Sequence, residues 1–485
     1  MAIGLLCCLC TISGLAQNYQ AINGSMYAGS LAAGNNPASI VHVPYAWDVT
    51  PLAIQLKHSS NGYTIQNYSL LSSPANASIV ATNGVKNRFV MANQNLRLMN
   101  ARIKLNRTSA IAFGATIRNY LHGTSSQTNY QDTVFSLADF LRINVNRQPL
   151  GMQGAASAWG ELYGSYATTV MDDGYRLLNA GITLKLNRQL GGGYTRAEGI
   201  TYLPYTDAVT NRQSYLLTQG RLQYGYSSNI DLIDSGRSAE VNTKAFLKDA
   251  YFGVSADIGI EYIFLAAPDE TEADEYSYTH KIAVSIMDIG GGRYRHSSRS
   301  RLASSVKQGI NDTLIENKFK TINNIDDFND SLSTIVNSMQ TLTGDFVIYQ
   351  PTRLVINADH RITNQFFINA ELSLPLASLA GGNIIYLKDI NLLAITPRWE
   401  TRRLGAYLPI SFNSRKQLWV GAAFRAGPLL LGIHNFGNLF SKNSMQNGGL
   451  YLALTIRPGK WAGRVKGDSP TLNKKQLQHL YCPAL

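Results

Sequence analysis

The chain has 485 residues, Lys+Arg 43 against Asp+Glu 31 (formal net charge +12), and only 15% charged residues, with Gly 41 and Tyr 26. Soluble domains carry about 25% charged residues, so this balance argues against a surface that faces water everywhere. The basic excess does not point to nucleic acid either. It is spread along the chain with one dense cluster at Arg293, Arg295, Arg299 and Arg301, which suits anionic lipid headgroups or an acidic partner better.

The length admits two or three ordinary domains or one large barrel. Residues 1–16 carry no charge, run apolar from Ile3 to Ile12 and end Gly14-Leu15-Ala16 before Gln17. That is the pattern of a cleavable export signal, too short to span as a mature helix, although its basic start region is missing. Cys7, Cys8 and Cys10 leave with it and only Cys482 remains, which excludes an intramolecular disulfide or a cysteine metal site. No later stretch approaches the roughly eighteen apolar residues of a membrane helix. An exported chain of this kind is periplasmic, extracellular or an outer-membrane barrel.

Ser25 to Ser39 is rich in small residues and closes on Asn35-Asn36-Pro37-Ala38, a turn signal with room for a short helix before it. Read blandly, 17–45 is a linker; read sharply, it is a plug in a barrel mouth, with Asn36, Pro37 and Ala38 as its motif. Strands are expected at Trp47–Lys57 and Tyr63–Leu71. A hairpin then joins Met99–Leu105 to Ile111–Ile117, and another joins Trp159–Met171 to Leu178–Leu186 across Asp172-Asp173-Gly174. The stretches 122–158 and 189–213, the latter with Gly191-Gly192-Gly193, read as long outward loops.

Leu217–Tyr226 is a further strand candidate, and Phe252–Phe264 is the clearest in the chain. Phe252, Val254, Ala256, Ile258, Ile260, Tyr262 and Phe264 alternate with small or acidic residues. Ordinary strands last about five or six residues, whereas a tilted membrane strand needs about 9 to 11, apolar outside and wet inside. The acidic run Asp269–Glu275 lacks the spacing of a calcium loop and reads as a solvated turn. Residues 291–349 break the β rhythm. Ile325, Phe328, Leu332, Ile335, Val336 and Met339 have helical spacing behind Asn324 as N-cap, with another helix expected over Leu302–Phe319. Strands resume from Leu354 to Ile456, and 458–485 is a basic tail, solvated by default.

With polar stripes turned inward, Arg102, Lys104, Lys185, Asp257, Glu261 and Glu371 line the lumen, a mixture of signs that suits internal salt bridges better than a selectivity site. Enzymatic signatures are missing: no phosphate-binding glycine loop, no HExxH, no G-x-S-x-G. Ser304 and Lys307 have S-x-x-K spacing by coincidence, and the eight histidines lack ligand spacing, so no metal or cofactor is expected.

Asn36-Pro37-Ala38 after a small-residue run, Asp288-Ile289-Gly290 closing a strand, and the block Thr396-Pro397-Arg398, Gly405, Tyr407, Pro409, Arg425, Gly427, Pro428 carry a resemblance. The chain resembles an uncharacterised family of bacterial outer-membrane β-barrels, itself similar to the long-chain fatty-acid transporter barrels and, more distantly, to the shuttle barrel of type IX secretion. The first likeness implies a lumen closed by an N-terminal plug that binds apolar small molecules; the second implies a docking surface for exported proteins. Neither supplies ligand residues that can be placed in this sequence.

The expected architecture is all-β: a transmembrane antiparallel barrel of about 14 strands over 46–457, with an N-terminal plug segment (17–45), a small helical insert (291–349) and the basic tail. The expected function is an outer-membrane barrel, not an enzyme, that binds or passes small apolar molecules. The alternative is a non-transporting scaffold that docks partner proteins through 291–349 or the tail. Membrane lipid and lipopolysaccharide are expected neighbours in either case, and a soluble propeller or sandwich is disfavoured because no repeat period is visible.

Overall fold

The structure, a computed structural model, describes residues 19–458 apart from 70, 207–210, 267–275, 377–383, 441 and 443. The expected signal peptide 1–16, the acidic run Asp269–Glu275 and the tail beyond 458 lie outside the described residues.

Fourteen strands close into one antiparallel barrel. In chain order they are β1 (Trp47–Ser60), β2 (Gly84–Lys104), β3 (Ser109–Tyr130), β4 (Leu150–Asp172), β5 (Arg176–Thr206), β6 (Phe252–Leu265) and β7 (Tyr278–Arg295). They continue with β8 (Arg353–Arg361), β9 (Phe366–Pro375), β10 (Leu392–Glu400), β11 (Leu404–Tyr407 with Ile410–Asn413), β12 (Leu418–Val420 with Ala422–Ala426), β13 (Leu429–Ile433) and β14 (Asn447–Ile456). Each pairs with its neighbour in sequence, and β1 closes the ring by pairing with both β2 and β14. The breaks in β11 and β12 sit side by side. Pro409 has no N–H to give the ladder, and Gly421 N donates to Pro409 O at 2.7 Å to bridge the gap.

Connections at 105–108, 173–175, 362–365, 401–403 and 427–428 are short and share a rim with the start of β1 and the end of β14. The opposite rim carries most of the long ones, while 266–277 joins strand ends on the short-turn rim and 414–417 is a short turn on the opposite one. That asymmetry is the rule for membrane barrels.

The polarity of the wall is inverted relative to a soluble protein. On β6 the outward Phe252, Val254, Ile258 and Ile260 are 63, 73, 44 and 51% exposed, while the inward Asp257 and Glu261 are 1 and 3% exposed. The same ordering holds on β5, where Ile182, Leu184 and Leu186 are exposed and Asn179, Thr183, Lys185 and Asn187 are buried. An apolar row of this length has no favourable surroundings in water but needs none in hydrocarbon, where closure of the ring leaves no strand edge unpaired. Accordingly Ile258→Arg, midway along its row, is expected to destabilise the vesicle-embedded barrel by about 2–4 kcal/mol, read as a lowered urea midpoint.

Several expectations are corrected. The stretch 122–158 is not one loop: β3 and β4 run through about half of it, leaving 131–149, which holds α1 (Leu137–Asn144). The stretch 189–213 is largely the upper part of β5. Both were hidden because the strands there rise past the apolar belt, so no greasy row marks them. Gly191-Gly192-Gly193 is not a turn but a place of close approach, since a Cβ on Gly192 would lie 2.8 Å from the Tyr294 ring.

Tyr63–Gln66 forms a separate two-stranded sheet with Ser78–Ala81, outside the barrel, and Ile65 makes a single bridge to Met445. Gln213–Tyr226 pairs with the top of β5 and with Arg301–Val306, also outside the ring of fourteen. The expected helix over Leu302–Phe319 is a strand, Arg301–Val306, followed by α3 (Asp312–Phe319), after α2 (Ala239–Lys248) earlier in the chain, so the 291–349 insert is not purely helical. Beyond α3 lies α4 (Ile325–Ile335), capped by the Asn324 side chain, but Val336 and Met339 belong to the strand Val336–Thr341. Residues 291–295 continue β7. Among the described residues no helix is long and apolar enough to cross a membrane.

Candidate functional site in the barrel lumen

Inward rows of the wall are largely polar and charged, with apolar patches such as Ala53, Leu430 and Ile263, and the space between them is occupied by residues 19–46. This segment runs through three short 3-10 turns, Gln20–Ile22, Gly29–Gly34 and Pro37–Ile40, and most of its side chains are buried. An irregular segment has backbone groups that no ladder satisfies, so the wall must supply partners. Arg102 donates to Ile40 O (3.3 Å) and Tyr45 O, Arg97 to Leu31 O (3.4 Å), Arg353 to Gly34 O (3.3 Å), Arg398 to Asn23 O (3.3 Å) and Lys281 to Gly24 O. Carboxylates take the donors. Glu371 accepts from Asn23 and Asn35 (3.0 Å), Glu400 from Ser25 Oγ (2.5 Å), Asp48 from Ser30 N (2.6 Å) and Glu261 from Ser39 Oγ (2.8 Å).

Asn36-Pro37-Ala38 is where the segment touches the wall most closely. Asn36 caps the third turn, its Oδ1 accepting from Ala38 N at 2.8 Å, and Pro37 takes the first turn position, where a missing N–H costs nothing. The Asn36 Nδ2 donates to Ile260 O at 2.9 Å. The seat is a pair of glycines directly opposed across β5 and β6, Gly181 and Gly259. A Cβ on Gly181 would lie 2.6 Å from Ala38 N, and one on Gly259 would overlap Asn36 Oδ1.

Five of the six lumen candidates fall into two groups, and Lys104 stands apart. Arg102, Glu261 and Glu371 hold the inner segment, and Arg102 also pairs with Asp48 at 2.6 Å, directly across β1 and β2. Lys185 and Asp257 form a wall cluster instead: Lys185 Nζ lies 2.7 Å from both Asp257 and Asp288, and Arg118 bridges Asp288 to Glu161. Lys104 is half-buried near the short-turn rim, where it donates to the Tyr276 hydroxyl at 2.9 Å.

A second cluster escapes any reading of the sequence alone. Arg398 binds Asp359 through both terminal nitrogens (2.6 Å each) and Glu400 through Nε (2.8 Å); Tyr278 donates to Asp359 and Tyr407 to Glu400, and Arg425 donates to the Tyr407 oxygen. In the sequence Arg398, Tyr407, Arg425 and Asp288 are visible only as marks of resemblance. Asp288 sits at a register shift in β7 with φ 60°, a bulge that turns it inward out of phase with the alternation. His122 and His434 are buried, whereas His280 and His360 are exposed and stacked on the outer face. Among the described residues no group of three or more His, Cys, Asp or Glu is placed to hold a metal.

Small voids remain, among them two of about 30 Å³ each, one between Arg97, Arg118, Lys185 and Asp257, the other between Asn23, Asn36, His42 and Lys281. Each has room for a water or two.

Toward the long-loop rim the lumen changes character. Tyr120, Trp159, Tyr194, Tyr294 and Phe346 form a buried aromatic cluster with Ile348, and Leu387, 1% exposed, completes it. Leu387 belongs to the connection between β9 and β10, whose residues 385–390 turn inward. Ile385 and Tyr386 pair in parallel with Ile348 and Tyr349, Leu387 N donates to Tyr349 O, and Asp389 and Ile390 are buried beyond them.

Residues 37–433 match the profile of a family described only as a family of unknown function (DUF5723). No curated protein sequence matches the chain. Among solved structures it is similar to the Ralstonia pickettii toluene transporter TbuX at 11% identity and TM-score 0.39, covering 92% of this chain and 99% of that one. It is similar to the P. putida toluene transporter TodX at 9% identity and TM-score 0.40, covering 88% and 93%. A Pseudomonas aeruginosa FadL homologue gives 11% identity and TM-score 0.38, covering 91% and 98%. At these values the likeness assigns no ligand.

Proposed function

The chain belongs to DUF5723, a family of unknown function, and we propose that it is an outer-membrane barrel that binds or passes small apolar molecules, with residues 19–46 acting as the plug that closes it. The observation that supports the ligand class is the aromatic cluster inside the mouth of the lumen, the buried apolar cluster there that the inner segment does not fill. Its occupant is an aliphatic side chain on an inward-turned loop, the chemistry that a small hydrocarbon would bring to the same walls. In this reading Leu387 competes with the guest, and the ion-paired lower lumen is a closed section that opens only when the plug moves.

The test is binding of naphthalene or toluene to purified barrel, followed by Trp159 fluorescence. Leu387→Ala is expected to raise affinity about tenfold, because removing three carbons from the cluster leaves space that the guest fills. No saturable binding by either protein would remove the ligand reading.

A second reading, a docking barrel, is supported by a different feature. Gln213–Tyr226, Arg301–Val306, Val336–Thr341, α3 and α4 share their own apolar core around Tyr224, Ile310, Leu332 and Ile335, above the apolar belt. Passage through the lumen does not need this projection, whereas a partner does. Deleting 311–335 separates the two: hydrocarbon binding is expected to persist, and any native-membrane partner is expected to be lost.

A further inference from the structure

The structure divides the basic cluster of the insert. Arg299 is engaged by Asp231 (3.0 Å) and Asp326 (2.7 Å), and Arg301 donates to the carbonyls of Ser298 and Ser300. Arg293 and Arg295 are different. They project from the outer face of β7, 63 and 57% exposed, and share one carboxylate, Asp345, which lies 4.0 Å from Arg295.

Between them is Tyr251, its ring 5.3 Å from the Arg293 guanidinium and 5.8 Å from that of Arg295, its hydroxyl accepting from Arg295 at 2.9 Å. On the adjoining strands Arg188 lies over the Phe252 ring at 4.3 Å. Lys248 and Asp249, both exposed, complete the charged groups at this end of the wall. Four cations therefore face two carboxylates.

What gives this patch meaning is its height. The outward row of β5 reads Ile182, Leu184, Leu186 and then Arg188; that of β6 begins at Phe252 and continues Val254, Ile258; that of β7 reads Ile282, Ile289 and then Arg293, Arg295. Three neighbouring strands thus change from apolar to cationic or aromatic at one level, on the long-loop side. A guanidinium fork above an apolar row matches a lipid whose acyl chains lie against the row and whose phosphate lies at its end.

We propose that Arg293, Arg295 and Tyr251, flanked by Arg188, form a binding site on the outer wall for the headgroup phosphate of a lipid, the phosphorylated glucosamine of lipopolysaccharide in the outer leaflet. This site rests on the outer-membrane reading under Proposed function. Both guanidiniums are more than half exposed and share the single carboxylate of Asp345, and the phosphate adds the second anion that two cations call for.

The test uses the full chain in detergent, titrated with diphosphorylated lipid A, with the same lipid after phosphate removal, and with inorganic phosphate, bound lipid being counted by native mass spectrometry. Arg293→Gln/Arg295→Gln is expected to weaken lipid A binding about tenfold or more, and the paired lysine variant to recover part of it. Arg299→Gln is expected to change nothing. Equal binding by the glutamine variant, or by dephosphorylated lipid, overturns the site; inorganic phosphate binding as tightly as lipid A overturns the lipid as its source. Insertion of the wild type into phosphatidylcholine vesicles is measured alongside. A chain that inserts but does not discriminate loses only this site, and one that does not insert loses the membrane reading and this site with it.

Discussion

Replacing Arg398 with methionine is expected to destabilise the barrel by about 3–5 kcal/mol, more than an outward substitution such as Ile258→Arg. The side chain is 0% exposed, as is Asp359, and Glu400 is 1% exposed. Removing the cation leaves two carboxylates in a packed interior with neutral donors alone, the Tyr278, Tyr407 and Ser25 hydroxyls and the Asn369 carboxamide, to satisfy them. It also strips the Asn23 carbonyl of a wall donor, so the inner segment loosens at the same stroke.

Two measurements check this. The urea midpoint, read from the folded band in unboiled gels, is expected to fall, and protease is expected to reach residues 19–30 in the variant. Arg398→Met with Asp359→Leu is expected to cost clearly less than the sum of the single changes, because the paired loss leaves one stranded carboxylate instead of two. A single variant within about 1 kcal/mol of wild type would mean that the ion-pair ladder fills the lumen without holding it, and the stability would then have to reside in the strand ladders alone.

What can be read in advance follows from how unlike the two faces of a strand are. β6 is legible along most of its length because its outer row is chiefly Phe, Val, Ile and Tyr and its inner row, as far as Glu261, is small or acidic. The tops of β3, β4 and β5 are not, because above the belt both rows are small or polar and alternation carries no contrast. In the lumen, the inward direction of Arg102, Lys185 and Glu371 can be stated from period two, but their partners cannot. Arg118 and Asp288 are 170 residues apart, and Asn35 and Glu371 are 336 apart. Only closure of the ring brings such pairs together, and a bulge such as that at Asp288 shifts phase with no local mark except a left-handed backbone angle. The tight turn Asn36-Pro37-Ala38 is visible as a motif, while its seat, two ordinary glycines on strands far away, is not.

That seat gives the second large effect. Gly181→Val with Gly259→Val is expected to drive the inner segment off the wall. At 181 the new carbon meets main chain, Pro37 C and Ala38 N both at 2.6 Å, which cannot swing aside as a side chain would. At 259 it meets the Asn36 carboxamide, already fixed by its cap bond and its bond to Ile260 O, and the Ser285 Cβ at 3.1 Å blocks retreat on the other side. Overpacking costs about 1–3 kcal/mol per site, and the cheapest release is to lift the turn, forfeiting the Asn36 and Ser39 bonds to β6. The wall itself is untouched, since valine suits a strand.

Two readouts distinguish plug from filler. Protease is expected to cut within 19–46 only in the double variant, and planar-bilayer conductance is expected to rise about tenfold or more above the wild-type baseline once the lumen empties. Gly160→Val and Gly164→Val, where an added Cβ meets nothing within 4 Å, serve as silent controls. Proteolysis without conductance would place the closure at the inward loop of Leu387 instead, and the combination with Leu387→Ala would then be the one to conduct. Neither proteolysis nor conductance would show that the segment is a fixed part of the wall, and the passage of any solute through this barrel would be ruled out with it.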